Sequence, residues 1–313
     1  MLMIATMPKL NIRTFSYDPA EFALDHTLAS GQCFRWKRQA DGWWLGVVGR
    51  SVLGVRQDGS QFSWWSYPDE SAEELVSDYF QLDTDLGEIV RRISEADPAA
   101  GEAARRWSGL RLLRQDPEEC TLSFVCSTAN SVPRIAYSIG EFSKRWGDPI
   151  GEVEGQAHYT FPGASTLAEV DPAYLSKVTS LGFRGPNLVR VAKQLEERGL
   201  GWALSLREMA YEHAHKELVA LHGIGAKIAD CVCLFSLDKT EAVPVDTHVW
   251  QLAKDLYFPD WPARKSLTSA AYNTVAGAFR ERFGELAGYA QNFLFYDHFS
   301  NHWGGVSPLL KER

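Results

Sequence analysis

The chain is 313 residues long, 45% hydrophobic and 23% charged, which suffices for roughly two domains with substantial cores and excludes a disordered polypeptide. Against 32 Lys and Arg stand 40 Asp and Glu, a formal charge of −8, so this is not a protein that coats nucleic acid indiscriminately. A local basic face stays open, because salt screens surface fields within about 8 to 10 Å. The five cysteines (Cys33, Cys120, Cys126, Cys231, Cys233) are odd in number and contain no Cys-x-x-Cys, which points to free thiols in a reducing compartment. Neither a zinc ribbon nor a four-cysteine iron–sulfur loop can be drawn from them. The apolar start from Met1 to Met7 is too short for a signal peptide or a membrane span, and Met3 and Met7 are alternative starts. The expectation is a soluble intracellular protein.

From about Lys9 to Phe62 the chain is rich in aromatic and β-branched residues separated by turn signals at Gly42, Gly49 and Asp58-Gly59, the texture of an antiparallel sheet. Trp43–Val48 and Ser51–Val55 flank a Gly-Arg turn as a hairpin, and Gln61–Trp65 reads as a further strand; the paired tryptophans read as core or edge filling. From Asp69 the spacing of Leu75, Tyr79 and Leu82 is helical, and Asp97-Pro98 starts another helix. Asp116-Pro-Glu-Glu119 is a strong helix start, with an Asp cap, Pro in the first position and acids in the first turn. It marks the expected boundary between a sheet domain (9–115) and a helical domain (116–305). Within the latter, Asp171-Pro172 caps a helix and Gly199 closes one.

The stretch Leu221-His-Gly-Ile-Gly-Ala-Lys227 lies between two helical patterns, from about Tyr211 and from Ala226 to Leu237, giving a helix-hairpin-helix over about 211–237. Two glycines permit a tight turn with a bare backbone, and the free N–H groups of the second helix then face an anion such as a DNA phosphate. Lys227 and Asp246, in Pro244-Val-Asp-Thr-His-Val-Trp250, add an amine and a carboxylate. An exposed lysine is only about one part in 2,500 free amine at pH 7. A nucleophilic one needs a helix N-terminus or a desolvating cleft to lower its pKa. Taken alone, Lys227 is equally an ordinary solvated lysine and Asp246 an ordinary N-cap.

With its flanks, the hairpin resembles the helix-hairpin-helix (HhH-GPD) DNA glycosylase superfamily, and its 8-oxoguanine DNA glycosylase branch in particular. The segments that carry the likeness span most of the chain: Ser30-Gly-Gln-Cys-Phe-Arg-Trp36, Leu112-Leu-Arg-Gln-Asp-Pro117, Leu181-Gly-Phe-Arg184, the hairpin, Ala242–Trp250 and Ala290-Gln-Asn-Phe-Leu-Phe295. The resemblance implies an α+β fold, with a TBP-like antiparallel sheet domain packed on an all-helical glycosylase core. It implies excision of 8-oxoguanine opposite cytosine, and β-elimination at the abasic site through a Schiff base on Lys227, with Asp246 stabilising positive charge on sugar and lysine. A monovalent cation, Na+ or K+, would sit on the main-chain carbonyls of Val219, Leu221 and Ile224; neither a catalytic cofactor nor an iron–sulfur cluster is implied.

For the base, the resemblance assigns the Gly31 carbonyl to the N7 hydrogen that 8-oxoguanine has and guanine lacks, a difference on the order of 1–3 kcal/mol. Gln291 would read the Watson–Crick edge, and Phe295 and Cys231 would flank the ring. The residue-level alternatives are a turn glycine at 31 and core residues at 231 and 295. Flipping a base leaves a hole. Phe183 is the implied wedge and Arg184 with Arg134 the readers of the widowed cytosine; Asn130, Gly223, Gly225 and His248 complete the DNA contacts, His248 being equally a structural histidine. The implied partner is double-stranded DNA containing oxidised guanine, with no membrane, no obligate protein partner and a monomer as the simplest state. The site of action is intracellular with DNA, nucleoid and nucleus being inseparable.

Two positions depart from the branch. Where Asn-Asn-Asn is usual the chain reads Thr128-Ala-Asn-Ser131, so Ala129 stands where a hydrogen-bonding side chain would touch the estranged cytosine; His222 replaces a Pro in the hairpin. Looser reading of the opposite base is expected. The rivals are a sister glycosylase for alkylated bases, which typically lacks the lysine, and a hairpin protein that binds damaged DNA without chemistry.

Overall fold

The computed structural model describes residues 10–69, 71–261 and 267–302. The alternative starts at Met3 and Met7, Lys9, and the 303–305 end of the expected helical domain lie outside the described residues. The N-terminal part is a five-stranded antiparallel sheet of order β1-β5-β4-β3-β2, from β1 (Arg13–Ser16), β2 (Trp36–Arg38), β3 (Trp44–Val48), β4 (Ser51–Asp58) and β5 (Gln61–Tyr67). The Gly49-Arg50 turn sets Val48 opposite Ser51, and Gly49 supplies the positive φ of 57° that the turn needs. Because side chains alternate across a strand, the adjacent tryptophans split between the faces. Trp44 and Trp64 join Phe22, Leu28, Leu53, Phe62 and Phe80 in one core, whereas Trp43 and Trp65 join Leu45, Val47 and Val52 on the other side.

Helix α1 (Leu24–Ala29) crosses the first face, and α2 (Glu73–Phe80), α3 (Leu86–Ala96) and α4 (Pro98–Arg106) follow the sheet. Gln81, in a left-handed conformation, ends α2 at Phe80, so Leu82 lies beyond the helix its spacing suggested. Although they precede Asp116, α3 and α4 belong to the larger helical core: Leu86, Ile89, Ile93 and Ala104 pack in one cluster with Phe124, Val232 and Phe293.

The remaining helices are α5 (Pro117–Val125), α6 (Val132–Trp146), α7 (Ala164–Ala168), α8 (Pro172–Thr179), α9 (Arg184–Arg198), α10 (Trp202–Ser205), α11 (Tyr211–Val219), α12 (Ala226–Ser236), α13 (Thr247–Tyr257), α14 (Ser269–Phe283) and α15 (Ala287–His302). The expected caps form: Asp97, Asp116 and Asp171 accept from the backbone N–H of Ala100, Glu119 and Tyr174. Gly199 ends α9 with φ 89°. A two-stranded hairpin, β6 (Pro149–Val153) and β7 (Gln156–Tyr159), interrupts the helical part. It is short and turns at Glu154-Gly155, both at positive φ, leaving no long periodic pattern to read. Its Val153 caps the second face of the large sheet.

Close packing leaves some positions only for glycine. A Cβ on Gly54, in the middle of β4, would lie 2.1 Å from the indole of the buried Trp65. Gly54→Ala is expected to cost about 1–3 kcal/mol through overpacking; thermal denaturation checks this, and an unchanged midpoint would show that the sheet can yield there.

Candidate active site

The hairpin is built from the end of α11, the turn Ala220–Gly225 and the start of α12. Gly223 holds φ 98°, and a Cβ there would fall 2.0 Å from Asn187 Oδ1. Asn187 Nδ2 donates to the Gly223 carbonyl at 3.3 Å, while Gln194 accepts from His222 N at 2.8 Å and donates to its carbonyl at 3.3 Å. Helix α9 thus grips the back of the turn. On the front, Gly225 begins α12 with no side-chain cap and with open space where a Cβ would point. The first N–H groups of α12 therefore remain available to an anion.

Lys227 sits in this first turn, half-buried. Its Nζ donates to Ser127 Oγ at 3.4 Å and lies 5.3 Å from the centroid of the buried Phe124 ring, which stacks on Phe235. One turn along α12, burial pushes the Cys231 thiol up to about 11; the charge of Lys227 pulls the other way, and those of Asp230 and Asp246 push up. Cys231 is therefore a neutral thiol against the amine, and Asp246 is near enough to act on the same group. Asp246 caps α13, its Oδ1 accepting from His248 N at 2.9 Å and Val249 N at 2.8 Å. Its cap role and a place beside the cleft coexist, as the sequence allowed. His248 is half-buried in the first turn of α13.

The orientation of α12 is set by a buried carboxyl that sequence reading passed over. Asp230, 1% exposed, accepts from Tyr211 Oη of α11 at 2.7 Å and from Tyr272 Oη of α14. Burial raises its pKa, against the pull of His215, the two tyrosines and Arg280. Arg280 in turn donates to Tyr211 Oη at 3.3 Å. Ser127, Phe124, Asn187, Gln194 and Asp230 have no motif of their own; folding brings the first two to Lys227, the next two to the back of the turn, and Asp230 to Tyr211 and Tyr272.

Gly31 occupies a tight loop between α1 and β2 with φ 85°; a Cβ would touch only Val132 Cγ2 at 3.8 Å. The backbone conformation, rather than space inside the protein, demands glycine. The loop is clamped by Gln32, whose Nε2 donates to the carbonyls of Thr27 (3.0 Å) and Arg111 (2.8 Å), and whose Oε1 accepts from Leu113 N at 2.8 Å. On α15, Gln291 is 4% exposed, and its amide makes no hydrogen bond to another described residue. Phe295, four positions on, is half-buried and stacks on Phe299 at 6.1 Å.

Phe183 is 69% exposed at the start of α9. Arg184 and Gly185 lie in the first turn of that helix, with Phe183 at its N-cap. The Arg184 guanidinium covers the Phe183 ring at 4.4 Å and donates to the carbonyls of Thr128, Ala129 and Leu181. It is committed to the facing turn and is no free solvated charge. In that turn Ala129 holds φ 47°. Asn130 folds back, donating to the Cys126 carbonyl at 3.1 Å and accepting from Ser131 N. Arg134, in the first turn of α6, is exposed. The structure therefore gathers Phe183, Arg184 and Ala129 at one edge, while Val132, three residues after Ala129, lies beside Gly31. In the hairpin, Val219 is 42% exposed while Leu221 and Ile224 are buried; the Leu221 carbonyl already accepts from Ile224 N at 3.0 Å.

Comparison with known proteins gives the family. Residues 14–121 match the profile described as 8-oxoguanine DNA glycosylase, N-terminal domain. The N-glycosylase/DNA lyase OGG1 of Arabidopsis thaliana is 36% identical over 283 residues, covering 88% of this chain and 77% of that protein. The 8-oxoguanine glycosylase/lyase of Clostridium acetobutylicum, in complex with double-stranded DNA containing cytosine opposite 8-oxoguanine, superposes with a TM-score of 0.82 at 30% identity, over 94% of this chain and 99% of that one. A 3-methyladenine DNA-glycosylase from Archaeoglobus fulgidus shares the fold, with a TM-score of 0.69 at 19% identity over 94% and 100% of the chains. The half-buried lysine at the head of α12, in the frame of these likenesses, places the chain in the 8-oxoguanine DNA glycosylase family of bifunctional N-glycosylase/DNA lyases.

Proposed function

We propose that Lys227 is the nucleophile by which this DNA glycosylase removes 8-oxoguanine from duplex DNA and nicks the abasic strand. The family membership carries the reaction; the carrying observation for the residue is Lys227 Nζ at the uncapped start of α12, held among Ser127, Phe124 and Cys231. As the C1′–N9 bond breaks, its electrons leave with the base and the free amine bonds to C1′. Ring opening gives the Schiff base, which makes the C2′ proton acidic; its loss expels the 3′ phosphate by β-elimination. The carboxylate of Asp246, oriented by its two backbone N–H donors, stabilises the positive charge on sugar and lysine.

Gly31, Gln291, Phe295 and Cys231 are the proposed contacts of the flipped base, the Gly31 carbonyl accepting from its N7 hydrogen. Gln291 suits an edge reader because its buried amide has donors and an acceptor to spare. Gly223, Gly225 and His248 take the proposed phosphate contacts, and Phe183 the place of the extruded base. A monovalent cation fits the carbonyls of Val219, Leu221 and Ile224: those of Val219 and Ile224 accept no backbone hydrogen bond outside a helix from a described residue, and that of Leu221 retains a lone pair. Such an ion would hold the hairpin backbone in its anion-binding shape.

Arg184, Arg134 and Asn130 are the proposed contacts around the widowed cytosine, with Ala129 leaving them one donor short. Asn also tolerates the left-handed backbone of position 129 better than Ala does.

Borohydride trapping on a duplex with 8-oxoguanine opposite cytosine should cross-link the wild-type chain and leave Lys227→Gln uncoupled; a cross-link that survives the substitution would show another nucleophile. Asp246→Asn should slow single-turnover excision by on the order of 10²–10³, while wild-type kinetics in this variant would remove the carboxylate from the chemistry. Across the four opposite bases, Ala129→Asn should raise the preference for cytosine about tenfold, the worth of one hydrogen bond to an otherwise unsatisfied group. An unaltered panel would mean that Arg184 and Arg134 suffice without residue 129.

A further inference from the structure

The proposed readers of the base come from opposite ends of the chain, Gly31 after α1 and Gln291 and Phe295 on α15, so something must set the gap between them. Three rings bridge these elements. His26 of α1 meets Trp107, just past α4, edge-on at 5.1 Å and 86°, and Tyr296 of α15 at 5.8 Å; Trp107 meets Tyr296 at 4.9 Å and 82°. Tyr296 Oη and His26 Nδ1 are 3.5 Å apart. Tyr296 is 3% exposed and next in sequence to Phe295, so the same turn of α15 carries the half-buried Phe295 ring, stacked on Phe299, and the ring of this cluster.

Both ends of the bridge are anchored. On α15, Asp297 accepts from Trp107 Nε1 at 2.8 Å and from Arg106 at 2.7 Å. On α1, Asp25 accepts from Trp44 Nε1 of the sheet at 2.7 Å, and Thr27, one residue after His26, gives its carbonyl to the Gln32 amide that clamps the Gly31 loop. Burial lowers the His26 pKa against the opposing pull of Asp25, which keeps the imidazole neutral and suited to an apolar ring cluster. His26 is thus joined through one short helix to Gly31, and through Tyr296 to Phe295.

We propose that His26 and Tyr296 are positioning residues for lesion recognition, a tie between α1 and α15 that sets the distance between the Gly31 carbonyl and the Gln291–Phe295 face. The inference rests on the reading of Gly31 and Gln291 as the base contacts. Recognition of a fixed donor–acceptor pattern is sensitive to displacements of about 1 Å, whereas strand cleavage at a preformed abasic site has no base to read and needs only the hairpin and Lys227. The tie therefore bears on one of the two activities of the site.

The test compares wild type, His26→Leu, Tyr296→Phe and the double variant on two duplexes, one carrying 8-oxoguanine opposite cytosine and one carrying an abasic site. Tyr296→Phe retains the ring and loses only the hydroxyl, so it guards against misfolding as the cause. Single-turnover excision should fall about tenfold in His26→Leu and severalfold in Tyr296→Phe, with no further fall in the double variant. Cleavage of the abasic duplex and its dissociation constant should stay within about twofold. Equal losses on both duplexes, or excision unchanged in both single variants, would overturn the proposal. A wild-type chain that cleaves the abasic duplex but leaves 8-oxoguanine in place would overturn the underlying reading itself, a result separable from the other two.

Discussion

Helix α12 must satisfy two opposed demands: its body is the centre of the helical core, buried from Ile228 to Ser236, while its first turn has to stay open to a polyanion. The uncapped start at Gly225 is the meeting point. A side-chain cap would satisfy the first N–H groups and remove the attraction for a phosphate, so the helix forgoes that local stabilisation, which with Gly at the cap is only a few tenths of a kcal/mol. Packing and Asp230 compensate. With its oxygens given to Tyr211 and Tyr272, Asp230 ties α12 to α11 and α14 from inside, so the exposed turn is aimed by interactions far from solvent.

The Gly31 side is organised by a different device. The Ser30–Cys33 loop carries a glycine at positive φ, a conformation that loses rigidity unless it is fastened. Gln32 fastens it to residues 111–113 through hydrogen bonds buried on every side, and Arg111 beneath donates to the carbonyls of Glu21, Gln81 and Thr84. The sheet domain therefore contributes more than DNA-facing area. It holds one backbone carbonyl in place, and α3 and α4, which follow it in sequence, are packed into the helical core on the other side.

At the opposite edge, Arg184 gives two of its five N–H donors to the carbonyls of the 128–129 turn and lays its plane over Phe183. Phe183, Arg184 and the turn form one preassembled unit, in which a backbone at positive φ is held by a charged clamp. Ala129 is the part of this unit that brings no polar side chain, and its strained φ shows that the turn keeps the geometry of a residue better suited to it.

Much of this was legible in the sequence because it rests on local rules. Aromatic and β-branched runs between turn glycines mark β3, β4 and β5 of the first domain, though not the short β1 and β2; Asp-Pro pairs specify helix starts at 97, 116 and 171, and the Gly223–Gly225 hairpin brings Lys227 and Asp246 forward as candidates for the chemistry. Resemblance in the flanks then supplied Gly31, Gln291 and Arg184, positions whose role no local pattern betrays. What tertiary structure alone decided has one physical cause: contacts between residues far apart in sequence leave no periodic trace. So it is for Ser127 and Phe124 beneath the amine, for Asn187 and Gln194 behind the hairpin, for Asp230 within α12, and for His26 against Tyr296. The sequence by itself determined the family, the candidate groups for its chemistry and the shape of the elements that bear them. Their distances from one another, on which selection of a single oxidised base depends, were decided only when buried side chains from opposite ends of the chain packed together.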